Sequence, residues 1–218
     1  MILQRIWPLV KLVLVTFVGL ALIDLVVFRT GLYATWIEPD SSAGSVVGKT
    51  MLIKRETRAD FHNILVLGNS KIGEGFSGRL ADQASNRPDL HFINGAVAGS
   101  TPRIWYYLLR ELDPGCNRYA AVAMMVDYDP TINQEDMGNY AADTNYLQPL
   151  LRFTDFSEYS ESFTKPTERE RARRAVALPM QALHDDITAL LRSPLQRFRH
   201  TGRSRRLWMD ASINYPGR

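Results

Sequence analysis

The chain has 218 residues, a formal net charge of +3 and 45% hydrophobic residues, with one cysteine and four histidines. That length suits one domain, or one domain with an appendage. The lone Cys116 excludes an intramolecular disulfide framework and a cysteine-rich metal site. Four scattered histidines form no His-based metal cluster in the sequence, and no organic cofactor motif stands out, so neither a metal nor a cofactor is expected. The basic excess is too small to argue for nucleic acid. At 22% charged and 10% aromatic, the composition is globular.

The N-terminus reads as a membrane segment. Leu12 to Phe28 is apolar except for Thr16, Gly19 and Asp24, and Ile6 to Val10 extends the run across Lys11. From Ile6 it is about 23 residues, roughly 34 Å as a helix, enough to cross a bilayer. Lys11 sits near one end and can snorkel to the headgroups. Arg5, Lys11 and the α-amino group flank the start, whereas Arg29 alone follows closely. The positive-inside rule then favours a cytoplasmic N-terminus and a body outside. A cleaved signal peptide is the rival reading, but the run is long for one and no clear small-x-small site follows. Asp24 lies within about one turn of the outer interface, where water or Arg29 can reach it. Residues 1–30 are therefore expected to be a cytoplasmic tip and anchor in a bacterial inner (cytoplasmic) membrane, with the body on the periplasmic side.

Residues 31–60 read as a linker, because Glu38 to Gly48 is polar and rich in Ser and Gly. Within it, Ala43-Gly44-Ser45-Val46-Val47-Gly48-Lys49-Thr50 fits a loose phosphate-binding loop. That loop needs a buried strand before it, and Trp36 to Ser42 is not one. A flexible linker above the membrane is the preferred reading.

Residues 61–138 carry an α/β pattern. Ile64-Leu65-Val66-Leu67 is a short apolar run ending at Gly68, as expected of a strand buried on both faces. Gly73 to Ser85 is expected as one helix with Phe76, Leu80 and Ala84 on one face. His91-Phe92-Ile93 is a second strand. Pro102 opens a helix with the stripe Trp105, Leu108, Leu109 and Leu112, closed by Asp113-Pro114-Gly115. Ala120 to Val126 is a third buried strand, ending at Asp127. Strand–helix alternation with short links predicts a parallel, doubly wound three-layer sheet, whose sites lie at the carboxyl ends of the strands.

Residues 139–218 show no further buried strand, so the α/β domain looks incomplete. About Thr167 to Arg199 is helix-favouring, with Leu178, Leu183, Ile187, Leu190 and Leu191 as an apolar face. Arginines cluster at 169–174 and at 197–206. The segment reads as a helical, Arg-rich insertion or tail. A solvated face is the plain reading of these arginines, and an anion or membrane-surface contact is the functional one.

The strand ends hold the candidate chemistry. The first reads Gly68-Asn69-Ser70-Lys71, with a serine entering a helix whose N–H groups suit a developing oxyanion. It is not a Gly-x-Ser-x-Gly elbow, because Ile72 replaces the second glycine. The second reads Asn94-Gly95-Ala96-Val97-Ala98-Gly99-Ser100-Thr101-Pro102. Together these motifs resemble the SGNH (GDSL-like) hydrolase superfamily, over roughly Asn63 to Pro130. The resemblance implies a flavodoxin-like α/β fold with Ser70 as nucleophile. It implies an oxyanion hole formed by the N–H groups of Ser70 and Gly99, and Asn69 stands where the family has Asp. The third end, Asp127-Tyr128-Asp129-Pro130, departs from the family's Gly-x-Asn-Asp, with Tyr128 at the Asn position. Asn69, Asp127, Tyr128 and Asp129 are expected to line the site.

With the anchor, this pattern looks like the membrane-anchored branch linked to acylation of surface polysaccharides. The resemblance implies an esterase or O-acyltransferase, a glycan substrate and a membrane acyl-donor partner, with no nucleic acid. The family's Asp-x-x-His is missing. His62 and His91 lie near strand starts, and His184 and His200 lie in the helical segment. A serine without a base is a poor nucleophile, so the base is expected beyond residue 218. The alternative is a non-catalytic SGNH-like scaffold or glycan-binding component of an acylation complex.

Overall fold

The computed structural model describes residues 2–125 and 138–213. It is a mixed α/β structure, mostly helical, with a three-stranded parallel sheet and one N-terminal apolar helix.

Helix α1 spans Ile2–Ile23 and continues through a π-helical turn at Asp24–Phe28. Its Trp7–Phe28 stretch is long and apolar enough to cross a membrane. Apolar side chains such as Phe17 and Val15 point outward without protein cover, as expected when lipid is the solvent. Asp24 is matched as the sequence suggested: Arg29 Nε donates to its carboxylate at 2.7 Å.

The expected linker contains a 15-residue helix, α2, at Ser42–Glu56. Ser41 caps it, its Oγ accepting from Gly44 N–H at 3.0 Å. Ala43, Val46, Thr50 and Ile53 recur at helical spacing and are buried. The Ser/Gly composition misled because burial of this stripe outweighs weak helix propensity. Gly44 is required by contact: a Cβ there would lie 1.9 Å from the Glu38 carbonyl oxygen. The loose phosphate-loop pattern thus lies inside a helix, where Gly44 N–H is taken by the Ser41 cap and the later N–H groups by helical hydrogen bonds.

The strands are β1 (His62–Leu67), β2 (Leu90–Asn94) and β3 (Ala121–Met124), in order β2-β1-β3 and all parallel. In register, Leu65 sits between Ile93 and Val122. Between β1 and β2 the predicted single helix is two, α3 (Ser70–Gly75) and α4 (Gly78–Ala84). The break has a cause: Asn94 Nδ2 donates to the carbonyls of Phe76 (2.8 Å) and Ile72 (3.3 Å), ending α3. Ser77 then caps α4, so Phe76 falls outside the helix that holds Leu80 and Ala84, and Leu80 is exposed. Helix α5 spans Pro102–Leu112 as predicted, with Trp105, Leu108 and Leu112 buried. The third strand departs from expectation: Ala121, Ala123 and Met124 are exposed. Among the described residues it is an edge strand, and the apolar run alone could not distinguish an edge from a centre.

The segment after residue 138 belongs to the core. It forms α6 (Asp143–Leu147), α7 (Phe156–Glu161), α8 (Pro166–Ala177), α9 (Pro179–Ala182), α10 (His184–Arg192) and α11 (Pro194–Ile213). Leu147, Tyr159, Phe163 and Val176 join Leu65, Leu67, Ile93 and Leu108 in one cluster. Tyr159 packs edge-on to Tyr107 of α5, with centroids 5.6 Å apart. A second cluster ties the body to the end of the N-terminal helix: Leu183 and Leu190 pack with Tyr33, Ile37 and Phe28. Of the predicted apolar face, Leu183, Ile187 and Leu190 pack there, whereas Leu178 and Leu191 are exposed.

Candidate functional site

The carboxyl ends of β1 and β2 lie side by side, and specific contacts lock their loops together. Gly95 N–H donates to Val66 O at 2.8 Å, and Val97 N–H donates to Gly68 O at 3.0 Å. Ser100 Oγ donates to the same Gly68 oxygen at 3.1 Å and accepts from Trp105 Nε1 at 2.6 Å. Gly68 must be glycine, since a Cβ would fall 2.5 Å from Ile72.

Ser70 opens α3 and is exposed. Asn69, half-buried, caps the helix by accepting from Lys71 N–H at 2.9 Å. The cap explains a polar residue at this position without any catalytic role. Helix α3 has only six residues, so its dipole is short. Gly99 is exposed and adopts a left-handed φ of +70°. Ser70 and Gly99 thus stand on adjacent loops at one end of the sheet. Asp127, Tyr128 and Asp129 lie outside the described residues.

Sequence reasoning missed Tyr146 of α6. Its hydroxyl donates to Ala98 O at 3.0 Å and covers Gly99. No local signal marks it, because it comes from the segment read as an insertion or tail. The same helix is anchored by Asp143, which is fully buried and paired with Arg103 and Thr101 Oγ1. Burial pushes the Asp143 carboxyl above its usual range, opposed by the Arg103 charge and the Thr101 hydrogen bond. The Arg103 guanidinium also stacks on Phe163, 3.9 Å from the ring centroid.

Each histidine is engaged or placed elsewhere. His62 is exposed at the amino end of β1. His91 is buried and faces Asp82 at 3.0 Å. His184 meets Asp185 at 3.2 Å. His200 meets Glu38 at 2.8 Å and Ser204 at 3.2 Å. Among the described residues, no histidine is hydrogen-bonded to Ser70.

Glu38, Asp40 and His200 bring their ligand atoms within 4.8 Å of one another. Arg197, 7% exposed, pairs with Glu38 of this group at 2.9 Å and with Asp186 at 2.8 Å. His200 and Arg197 thus join Glu38 and Asp186 in an ion-pair network. Other arginines of the expected solvated face are also spent internally: Arg169 on Phe163 O at 2.6 Å, Arg205 on Ala34 O at 3.1 Å. Comparison with protein-family models, with curated proteins and with solved structures finds no match to this chain.

Proposed function

We propose that this chain is a membrane-anchored SGNH-like esterase or O-acyltransferase. It acts outside the cytoplasm on an ester-linked acyl group, acetyl foremost, of a cell-surface glycan. The observation that carries the reading is the pairing of two locked strand-end loops. One presents an exposed serine on the first turn of a helix, and the other presents an exposed left-handed glycine. In this reading Ser70 Oγ attacks the acyl carbonyl, and its proton passes to a general base. The N–H groups of Ser70 and Gly99 hold the oxyanion. Collapse expels the donor alcohol, which takes the proton, and leaves an acyl-serine. Water or a glycan hydroxyl then releases the acyl group. The base must come from a group other than the four histidines as they stand here.

That requirement favours a second reading, an SGNH-like scaffold that binds glycan within a membrane acylation complex. A serine-reactive fluorophosphonate probe separates the two. Applied to the product of the full reading frame, it should label the protein, and Ser70→Ala should abolish labelling. Labelling that is absent, or that survives in Ser70→Ala, leaves the scaffold. The proposed orientation has its own test. A reporter active only outside the cytoplasm, fused after Pro39, should be active, and an inactive fusion reverses the topology.

A further inference from the structure

The body grips the end of the N-terminal helix at several points, and those points set its height. Arg29 donates to the carbonyls of Val176 and Ala177, at 3.4 and 3.0 Å, where α8 closes. Its guanidinium also lies over the Phe153 ring, 5.1 Å from the centroid. Helix α9 touches the π-helical turn Asp24–Phe28, and Leu183, just past α9, shares a cluster with Val27 and Phe28. That turn closes the apolar stretch Trp7–Phe28. At 1.5 Å per residue the stretch measures about 33 Å, slightly more than a hydrocarbon core of about 30 Å. With this stretch across a bilayer, whatever touches its last turn stands at the depth of the lipid headgroups.

Large apolar side chains gather at this level and are left open among the described residues. Phe153 is 66% exposed, Leu178 52% and Leu32 45%, and Met180 is half-buried. Leu178 follows directly on the carbonyl that Arg29 holds, and Leu32 lies just past Arg29 in the chain. Their backbone is fixed. Phe153 opens a short helical turn, Phe153–Asp155. The buried Asp155 carboxylate holds that turn by accepting from Arg152 N–H at 2.7 Å and Arg110 Nη2 at 2.8 Å. Leu178 N–H donates to Arg174 O at 2.8 Å, and Pro179 locks the next φ. Single exposed apolar residues are ordinary on a water-facing surface. Several held rigidly around one end of a lipid-length helix form a continuation of its apolar surface. An apolar body beside a guanidinium, as in Phe153 under Arg29, suits the membrane–water interface.

We propose that Leu32, Phe153, Leu178 and Met180 form a collar that sits in the interfacial layer of the bilayer crossed by the N-terminal helix. The occupant of this surface is lipid, because the surface is continuous with a helix face that only lipid can cover. The proposal rests on the reading of Trp7–Phe28 as a membrane span, and it is independent of Ser70. It goes beyond that reading by fixing the height and tilt of the body, which then rests on the membrane instead of swinging on a tether.

The test places single cysteines, each carrying the polarity-sensitive dye NBD, in a whole chain whose exposed Cys116 is changed to Ser. The chain is reconstituted at one copy per nanodisc of phosphatidylcholine and phosphatidylglycerol. Phe153→Cys and Leu178→Cys should emit at shorter wavelength than Asp60→Cys, an exposed position between the charged Arg58 and His62. Both should lose emission when the discs contain lipid with a nitroxide near the headgroup, whereas Asp60→Cys should not. Val15→Cys, within the span, should lose emission to a nitroxide near the end of the acyl chain. If Val15→Cys is quenched but both collar positions behave as Asp60→Cys does, the span stands and the collar is overturned, leaving the surface to a protein partner. If Val15→Cys escapes quenching, the span reading fails and the collar fails with it. Each collar cysteine reports alone, so either carries the test if the other variant misfolds.

Discussion

Tyr146 lies over Gly99. Its hydroxyl donates to the neighbouring Ala98 carbonyl, and a Cβ placed on Gly99 would sit 2.6 Å from that hydroxyl oxygen. A residue of the helical segment thus shapes the loop that the strand-end reading depends on.

Gly99→Ala should be costly twice over. The left-handed φ penalises any L side chain by about 1–2 kcal/mol, and the methyl must displace the Tyr146 hydroxyl. Tyr146→Phe removes only the hydroxyl. Combined with Gly99→Ala it should recover the steric part of the loss and leave the backbone part. Denaturant unfolding of the two single variants and the double variant checks this. A double variant as unstable as the sum of the singles would separate the two residues.

Arg103 and Asp143 form a pair buried beneath the same loop. Arg103→Ala leaves Asp143 unpaired in a site that already raises its pKa by desolvation. A loss of about 3–5 kcal/mol is expected, because one uncompensated buried charge remains. Adding Asp143→Ala should return part of that loss, and thermal melts of the cycle measure it.

Lys49 on α2 is half-buried, and its ammonium lies 3.5 Å from Asn94 O. Burial lowers its pKa, with the Glu56 charge opposing the shift. Between the lowered folded value and the ordinary lysine value, the unfolded chain binds more protons. Stability should therefore rise with pH through that window and fall as pH drops through the folded pKa. Lys49→Met should flatten this limb and raise the midpoint at neutral pH. A wild-type stability curve that is flat above neutral pH would contradict it.

Arg29 clamps the end of the N-terminal apolar helix to the body. It binds Asp24 at 2.7 Å, the carbonyl of Ala177 at 3.0 Å and the ring of Phe153 at 5.1 Å from the centroid. Its charge also suits the C-terminal end of α8. Arg29→Ala should loosen this joint by about 1.5–3 kcal/mol, the range for hydrogen bonds to charged groups. Hydrogen exchange of amides 24–37 should accelerate while that of β1 stays unchanged.

The apolar run from Ile6, the buried strand before Gly68 and the Pro102 helix were legible in the sequence, because each is a local pattern. A long, nearly continuous apolar run marks a span, a short apolar run marks a strand, and proline suits a first turn. Ser70 and Gly99 could be paired from sequence as ends of successive parallel strands, since that topology fixes where the strands finish. Tertiary structure alone decided the rest. Helix α2 owes its existence to a stripe whose partners lie far along the chain. The exposure of β3 depends on what covers it, and the core role of Tyr159 and Phe163 depends on α5. Tyr146 over Gly99 and Arg29 against Phe153 arise from contacts between residues tens of positions or more apart. Such contacts leave no periodic signature, because the energy that selects them is burial and pairing across the fold rather than propensity along the chain.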